Sequence, residues 1–307
     1  MRIPVLPPFL LLCLSTCVAP VEYQAWSDET LSLASSVEKN GEDLTTSMLA
    51  FFVPGSEEYH TARRLGTDLQ QEYARQVMAW RVLESYLSDV DLAISLRAPN
   101  TTAMRGIGIA FHQLHVRLLQ TGIARSFGIT VEQHEEAMAQ ILAGQSVADA
   151  MEAAHPVVAI MCKNLAQSCS GLANDLSAGE FVAMDLLAQR WSDEVAARDL
   201  LLQRQVELRN TIAMVAAGAG EASGDPAQDL VQVEQLLAST DEWYISYTAQ
   251  RRALSEMFRS HIDFARKSSH AVLEWGIGHR EVVKALKRGD DHANLRLFSA
   301  SVEELTR

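Results

Sequence analysis

The chain has 307 residues, 48% of them apolar and only 7% aromatic, with a net charge of −13. That length can bury one large core or two smaller ones. The acidic balance, with no Lys/Arg run longer than two, leaves no cationic face for a nucleic-acid backbone, so no nucleic-acid partner is expected. Alanine and leucine are abundant and strict alternation is absent, so an all-α fold is predicted.

The chain opens with Arg2 and a ten-residue apolar run, Val5 to Leu14. This is too short to span a bilayer, which takes about 20 apolar residues, but it has the length of a secretory signal. The string Leu14-Ser15-Thr16-Cys17 resembles the lipobox of bacterial lipoproteins. The resemblance implies that residues 1–16 are a signal peptide, that Cys13 leaves with it, and that Cys17 is acylated and becomes the new N-terminus. With Val18 next, the sorting rule of enteric bacteria implies an outer-membrane lipoprotein facing the periplasm or the surface. The alternative is plain cleavage after Cys17 and a periplasmic or secreted product. Residues 17–26 would form a tether.

Ser27 is predicted to cap a first helix reaching about Phe52, and "VPGSEE" breaks the chain. Ser56, followed by Glu57 and Glu58, is a strong helix start. From there Ala62, Gly66, Leu69, Tyr73, Gln76, Trp80, Leu83, Leu87, Val90 and Ile94 alternate steps of four and three. That is a heptad seam with one polar member, Gln76. Together these helices make a long-helix rod over 27–98. Pro99 closes it.

Shorter pieces follow over 99–176 and predict a compact helical subdomain. A helix starts at Asn100 or Thr101, and Thr130 with Gln133 forms a capping box whose helix ends at Gly144. A helix from Ser146 is expected to stop at Pro156, and another carries Cys162 and Cys169 to about Ser170. Seven apart on one helix, these cysteines lie about 10.5 Å apart along the axis, too far for a disulfide. Buried small hydrophobes are the plain expectation.

Residues 177–307 predict two long antiparallel helices and a loose tail. Ser177 and Glu180 form a capping box for the first, whose seam runs Met184, Ala188, Trp191, Val195, Leu202, Val206, interrupted by Arg198. After a Gly-rich turn, Asp225-Pro226 starts the second. Its seam runs Leu230, Val233, Leu237, Thr240, Tyr244, Tyr247, Arg251, Leu254, Phe258, His261, Ala265, Ser268, Val272. Gly276 and Gly278 are expected to end it, before a short basic helix closing near Arg288. The whole reads as an elongated antiparallel bundle with a smaller helical subdomain.

No strong catalytic motif is present, so no enzyme activity and no cofactor are predicted. Two Glu-x-x-His strings, Glu57–His60 and Glu152–His155, carry the residue types of a carboxylate di-metal centre but sit at predicted helix ends. His112 and His115, with His134 or His155, have the residue types of a three-histidine metal site. His261 with Arg251 would be a polar layer sensitive to pH. Thr211 to Gly220, "TIAMVAAGAG", is the one stretch resembling a membrane-inserting hairpin. The expected function is that of a lipid-anchored scaffold or interaction module, with the membrane reached through the anchor and a protein partner or a second copy met through the seams. The alternatives are a metal-binding four-helix-type protein and a membrane-active toxin component.

Overall fold

The computed structural model describes residues 21–95, 100–123, 127–219, 224–290 and 293–306. The expected signal peptide and Cys17 lie outside the described residues. The described chain is an all-α bundle. Its elements are α1 (Val21–Leu49), α2 (Glu57–Ser95), α3 (Asn100–Gln120), α4 (Val131–Ala143), α5 (Val147–Arg190), α6 (Ser192–Ala216), α7 (Pro226–Arg288) and α8 (Arg296–Thr306). Among the described residues there is no strand.

The seam read along α2 is its buried line: Ala62, Leu69, Tyr73, Gln76, Trp80, Leu83, Leu87 and Val90 are all buried. Gln76 is tolerated there because the Cys169 thiol donates a hydrogen bond to its Oε1 at 2.8 Å. Close approaches set the neighbours of α2. A Cβ at Gly41 would lie 2.7 Å from Tyr73 Cβ, and one at Gly106 would lie 2.8 Å from Ala93 Cβ. The first lets α1 lie against α2, the second lets α3 do so.

The long axis of the molecule is α7. At 63 residues it is about 95 Å long at 1.5 Å per residue. It runs back along α6 and then α5, and the contacts keep one antiparallel register. Arg209 meets Glu234, Arg198 meets Asp241, Trp191 stacks on Trp243, Ser255 bonds Glu180 and Ser269 bonds the Ala166 carbonyl. Residues near Gly276 then meet Cys162, and His279 meets His155.

Several predicted boundaries are not helix ends. Helix α5 passes through Pro156 and through Ser177–Glu180, so the division at 176/177 falls inside one helix. Pro156 points to solvent, while Met151, Ala154, Val157, Val158 and Met161 keep an unbroken buried line that offsets the lost hydrogen bond. Gly179 is a contact point: a Cβ there would lie 3.2 Å from Leu69 Cδ1 and 3.4 Å from Phe258 Cε1. Gly276 and Gly278 likewise lie inside α7, at points where a side chain would press on Cys162 and Leu295. The expected long helix from Ser177 to about Ala217 is instead interrupted at Trp191, between α5 and α6. Helix α1 begins at Val21, ahead of Ser27, and takes in the end of the expected tether; Trp26 is 0% exposed. The expected loose tail is α8, which buries Phe298, Val302 and Leu305.

One large hydrophobic core joins α1, α2, α3, α4, α5, α8 and the C-terminal part of α7. A second, small one consists of Leu208, Val233 and Leu237, with Leu201 and Leu230 against it. It belongs to a two-helix hairpin made of α6 and the N-terminal part of α7.

Candidate functional site

The hairpin starts at an aromatic root. Trp191, where α5 passes into α6, stacks on Trp243 at 5.8 Å and lies 6.0 Å from Tyr247. Arg198 is the pin above it. Its side chain is 14% exposed, donates to the Leu237 carbonyl at 3.2 Å and to Thr240 Oγ1, pairs with Asp241 at 2.7 Å, and covers the Tyr244 ring. The polar members Arg198 and Thr240 of the two predicted seams therefore meet each other. At the free end Asp225 caps α7, accepting from the Ala227 and Gln228 amides at 3.1 and 3.2 Å.

The line of α6 that faces α7 runs through Val195, Arg198, Leu201, Gln205 and Leu208, not through Leu202 and Val206. Leu202 and Val206 are 40% and 57% exposed. They lie about 100° around the helix from the contact line, at 100° per residue. On α7, Val231, Ala238 and Ile245 repeat every seven residues about 120° from the contact line. In an antiparallel pair, a rotation of the same sense on each helix leads to the same face. One side of the hairpin thus carries a heptad-spaced apolar line on α7 beside the exposed Leu202–Val206 pair on α6, with Ile245 65% exposed. At the root, Arg251, Arg252 and Arg259 line an open groove together with Glu256. None of the three arginines forms an ion pair among the described residues.

A second constellation lies inside the bundle. His279 is 0% exposed, with its Nε2 2.9 Å from the Tyr86 hydroxyl and its Nδ1 3.3 Å from His155 Nδ1. Trp275 and Trp26 pack alongside, and the Trp275 indole N–H donates to Thr30 Oγ1 at 3.1 Å. Burial, then the neighbouring His155, pushes the His279 pKa down to about 3. Burial and then Arg280 lower that of His155. Both rings are therefore neutral at pH 7. Together with Tyr86 they form a buried polar layer between α2, α5 and α7.

The other predicted residues separate. Glu57, Glu58 and His60 sit at the start of α2, where Ser56 Oγ caps the helix by accepting from the Tyr59 amide at 3.1 Å. Glu152 pairs with Lys287 on the surface. The two Glu-x-x-His strings do not meet, and among the described residues no group of three or more His, Cys, Asp or Glu is arranged around a metal-sized point. His261 is buried against the Tyr73 hydroxyl at 3.3 Å, whereas Arg251 is at the groove. Cys162 and Cys169 are free, buried thiols held up to about 12 by burial. His112, His115 and His134 do come together between α3 and α4, without His155. The described part of Thr211 to Gly220 is the last turns of α6 and the turn after it. Among the described residues no helix is long and apolar enough to cross a membrane.

Sequence reading missed Tyr86, His279, Trp26 and Trp275. The signal was available for two of them: the α7 seam continues past Val272 in steps of three and four through Trp275, His279, Val282 and Leu286. Reading Gly276 and Gly278 as a stop hid it. No family model matches the chain, and no curated protein and no solved structure matches it.

Proposed function

We propose that this protein is a lipid-anchored scaffold of the cell envelope that works by docking, not by catalysis, and that the α6–α7 hairpin is its docking element. The observation that carries the reading is the apolar face of that hairpin, Leu202 and Val206 beside Val231 and Ile245, left uncovered while the rest of the chain closes a dense core. Contiguous apolar stripes of this kind mark interaction surfaces. The heptad spacing on α7, with the Leu202–Val206 pair one turn apart on α6, suits another pair of helices, packed as in a four-helix bundle.

The occupant we assign is the same hairpin of a second copy, running antiparallel. The free end carries Asp225 and Asp229, neither in an ion pair among the described residues, and the root carries Arg251, Arg252 and Arg259. Antiparallel pairing sets each acidic end beside the other copy's arginines, whereas parallel pairing sets like beside like. The anchor rests on the Leu14-Ser15-Thr16-Cys17 string, which supports acylation of Cys17 and an outer-membrane location.

Sedimentation velocity on the purified protein tests the docking. The expected result is a dimer that weakens with salt and becomes a monomer in Val206→Asp and Ile245→Asp. These positions are exposed, so both variants should keep the wild-type helical signal. A wild-type monomer at all concentrations would overturn the assignment. Metabolic labelling with a fatty acid tests the anchor: label on the wild type and none on Cys17→Ser is expected, and an unlabelled wild type would remove it.

A further inference from the structure

His112 and His115 sit on successive turns of α3, and His134 lies one turn into α4. The His134 ring is 5.3 Å from that of His112 and 4.8 Å from that of His115, centroid to centroid. The His134 ring is also stacked on Phe111 at 5.2 Å with 15° between the planes. Its Nε2 is shielded from solvent and has no hydrogen-bond partner. A buried polar nitrogen in that state costs stability and wants an acceptor, a donor or an ion.

The spacing of His134 from each of the other two rings fits an ion. A metal–nitrogen bond of about 2.0–2.1 Å, plus about 1.1 Å from nitrogen to ring centre, places two imidazoles of one tetrahedral ion about 5 Å apart, centroid to centroid. The nitrogens do not yet converge, but His112 is exposed and His115 half-buried. Turning those two rings displaces no packed core, and ring torsions of this type are broad. Burial lowers the pKa of His115 and of His134, the other histidines adding to it. Neutral imidazole is the form that ligates.

We propose that His112, His115 and His134 form a site for one borderline divalent cation, zinc or copper, with the fourth position open to solvent. Imidazole donors suit these ions, and three protein ligands plus an open position is the arrangement of sites that hold a water. Occupancy ties α4 to α3. Helix α4 is 13 residues long and otherwise meets α3 through apolar packing, with Met138, Ile141 and Leu142 around Gly108. This site is separate from the hairpin and stands or falls without it.

Isothermal titration of the full chain, free of any affinity tag, with Zn²⁺ and with Cu²⁺ tests it. One equivalent should bind, and hydrogen exchange of the α4 amides should slow on addition of metal. His134→Gln should abolish the site. His112→Gln, an exposed position that does not endanger folding, should weaken it by about tenfold or more, as loss of one ligand would. His60→Gln and His270→Gln, on exposed imidazoles elsewhere, should leave it unchanged. No binding of either ion, binding undiminished by His112→Gln, or protection that appears away from α3 and α4 would each overturn the proposal.

Discussion

Replacing His279 by leucine together with Tyr86 by phenylalanine should make the protein less sensitive to acid. In the native state burial keeps His279 neutral, with its pKa down to about 3, while in the unfolded chain it returns to about 6.5. The unfolded state therefore binds the extra proton first as pH falls. The stability this ring contributes is complete above about pH 6.5 and is lost progressively between there and about pH 3. At pH 4.5 the loss from this one group is about 3 kcal/mol, two pH units at 1.36 kcal/mol each. Removing the hydroxyl and the imidazole together avoids orphaning either partner of the 2.9 Å hydrogen bond and takes from the half-buried His155 its 3.3 Å contact, so the cost at pH 7.5 should be about 1–2 kcal/mol. Urea unfolding at pH 7.5 and pH 4.5 measures both numbers. His155, His115, His134 and His261 are lowered in the same direction, so the double variant should still lose stability in acid, but about 3 kcal/mol less than the wild type. An unchanged acid loss would refute the reasoning, because it would mean that His279 takes up its proton in the folded state.

Gly106→Ala should lower stability by about 1 kcal/mol in the same assay, since the new Cβ lands 2.8 Å from Ala93 Cβ and overpacking outweighs the gain in helix propensity. Cys162 and Cys169, buried with pKa values near 12, should resist iodoacetamide at about pH 8 in the native protein and react fully once unfolded, as read by mass spectrometry. Arg198→Ala removes the bonds to Leu237, Thr240 and Asp241 at once. It should cost about 1–3 kcal/mol, and the loss should appear in hydrogen exchange as faster opening of α6, with the main core unaffected.

The architecture was legible where apolar spacing and capping chemistry agreed. The α2 line from Ala62 to Val90, the Thr130–Gln133 capping box, and the Ser146 and Asp225 caps all stand where local rules put them. The failures share one cause. Pro156, Gly276 and Gly278 read locally as stops and Ser177–Glu180 as a start, but a tertiary partner or an exposed position removes their local cost. A glycine in a helix reads the same in sequence whether it ends the helix or admits a neighbour's Cys162. The stripe of Leu202 and Val206 was visible as a heptad line, yet sequence could not say whether α7 or solvent lies against it. The three-histidine group was visible only as residue types, because the fold alone brings His134 to His112 and His115.

The central claim is that two copies pack their hairpins face to face and antiparallel. Disulfide trapping between single-cysteine variants measures it directly, with Val231→Cys near the free end and Ile245→Cys near the root, fourteen residues or about 21 Å along α7. Mixing the two should give a disulfide-linked dimer carrying one copy of each variant, while each variant alone stays largely unlinked, as does protein without the added cysteine. Linkage of each variant to itself, with none between the two, would contradict the account.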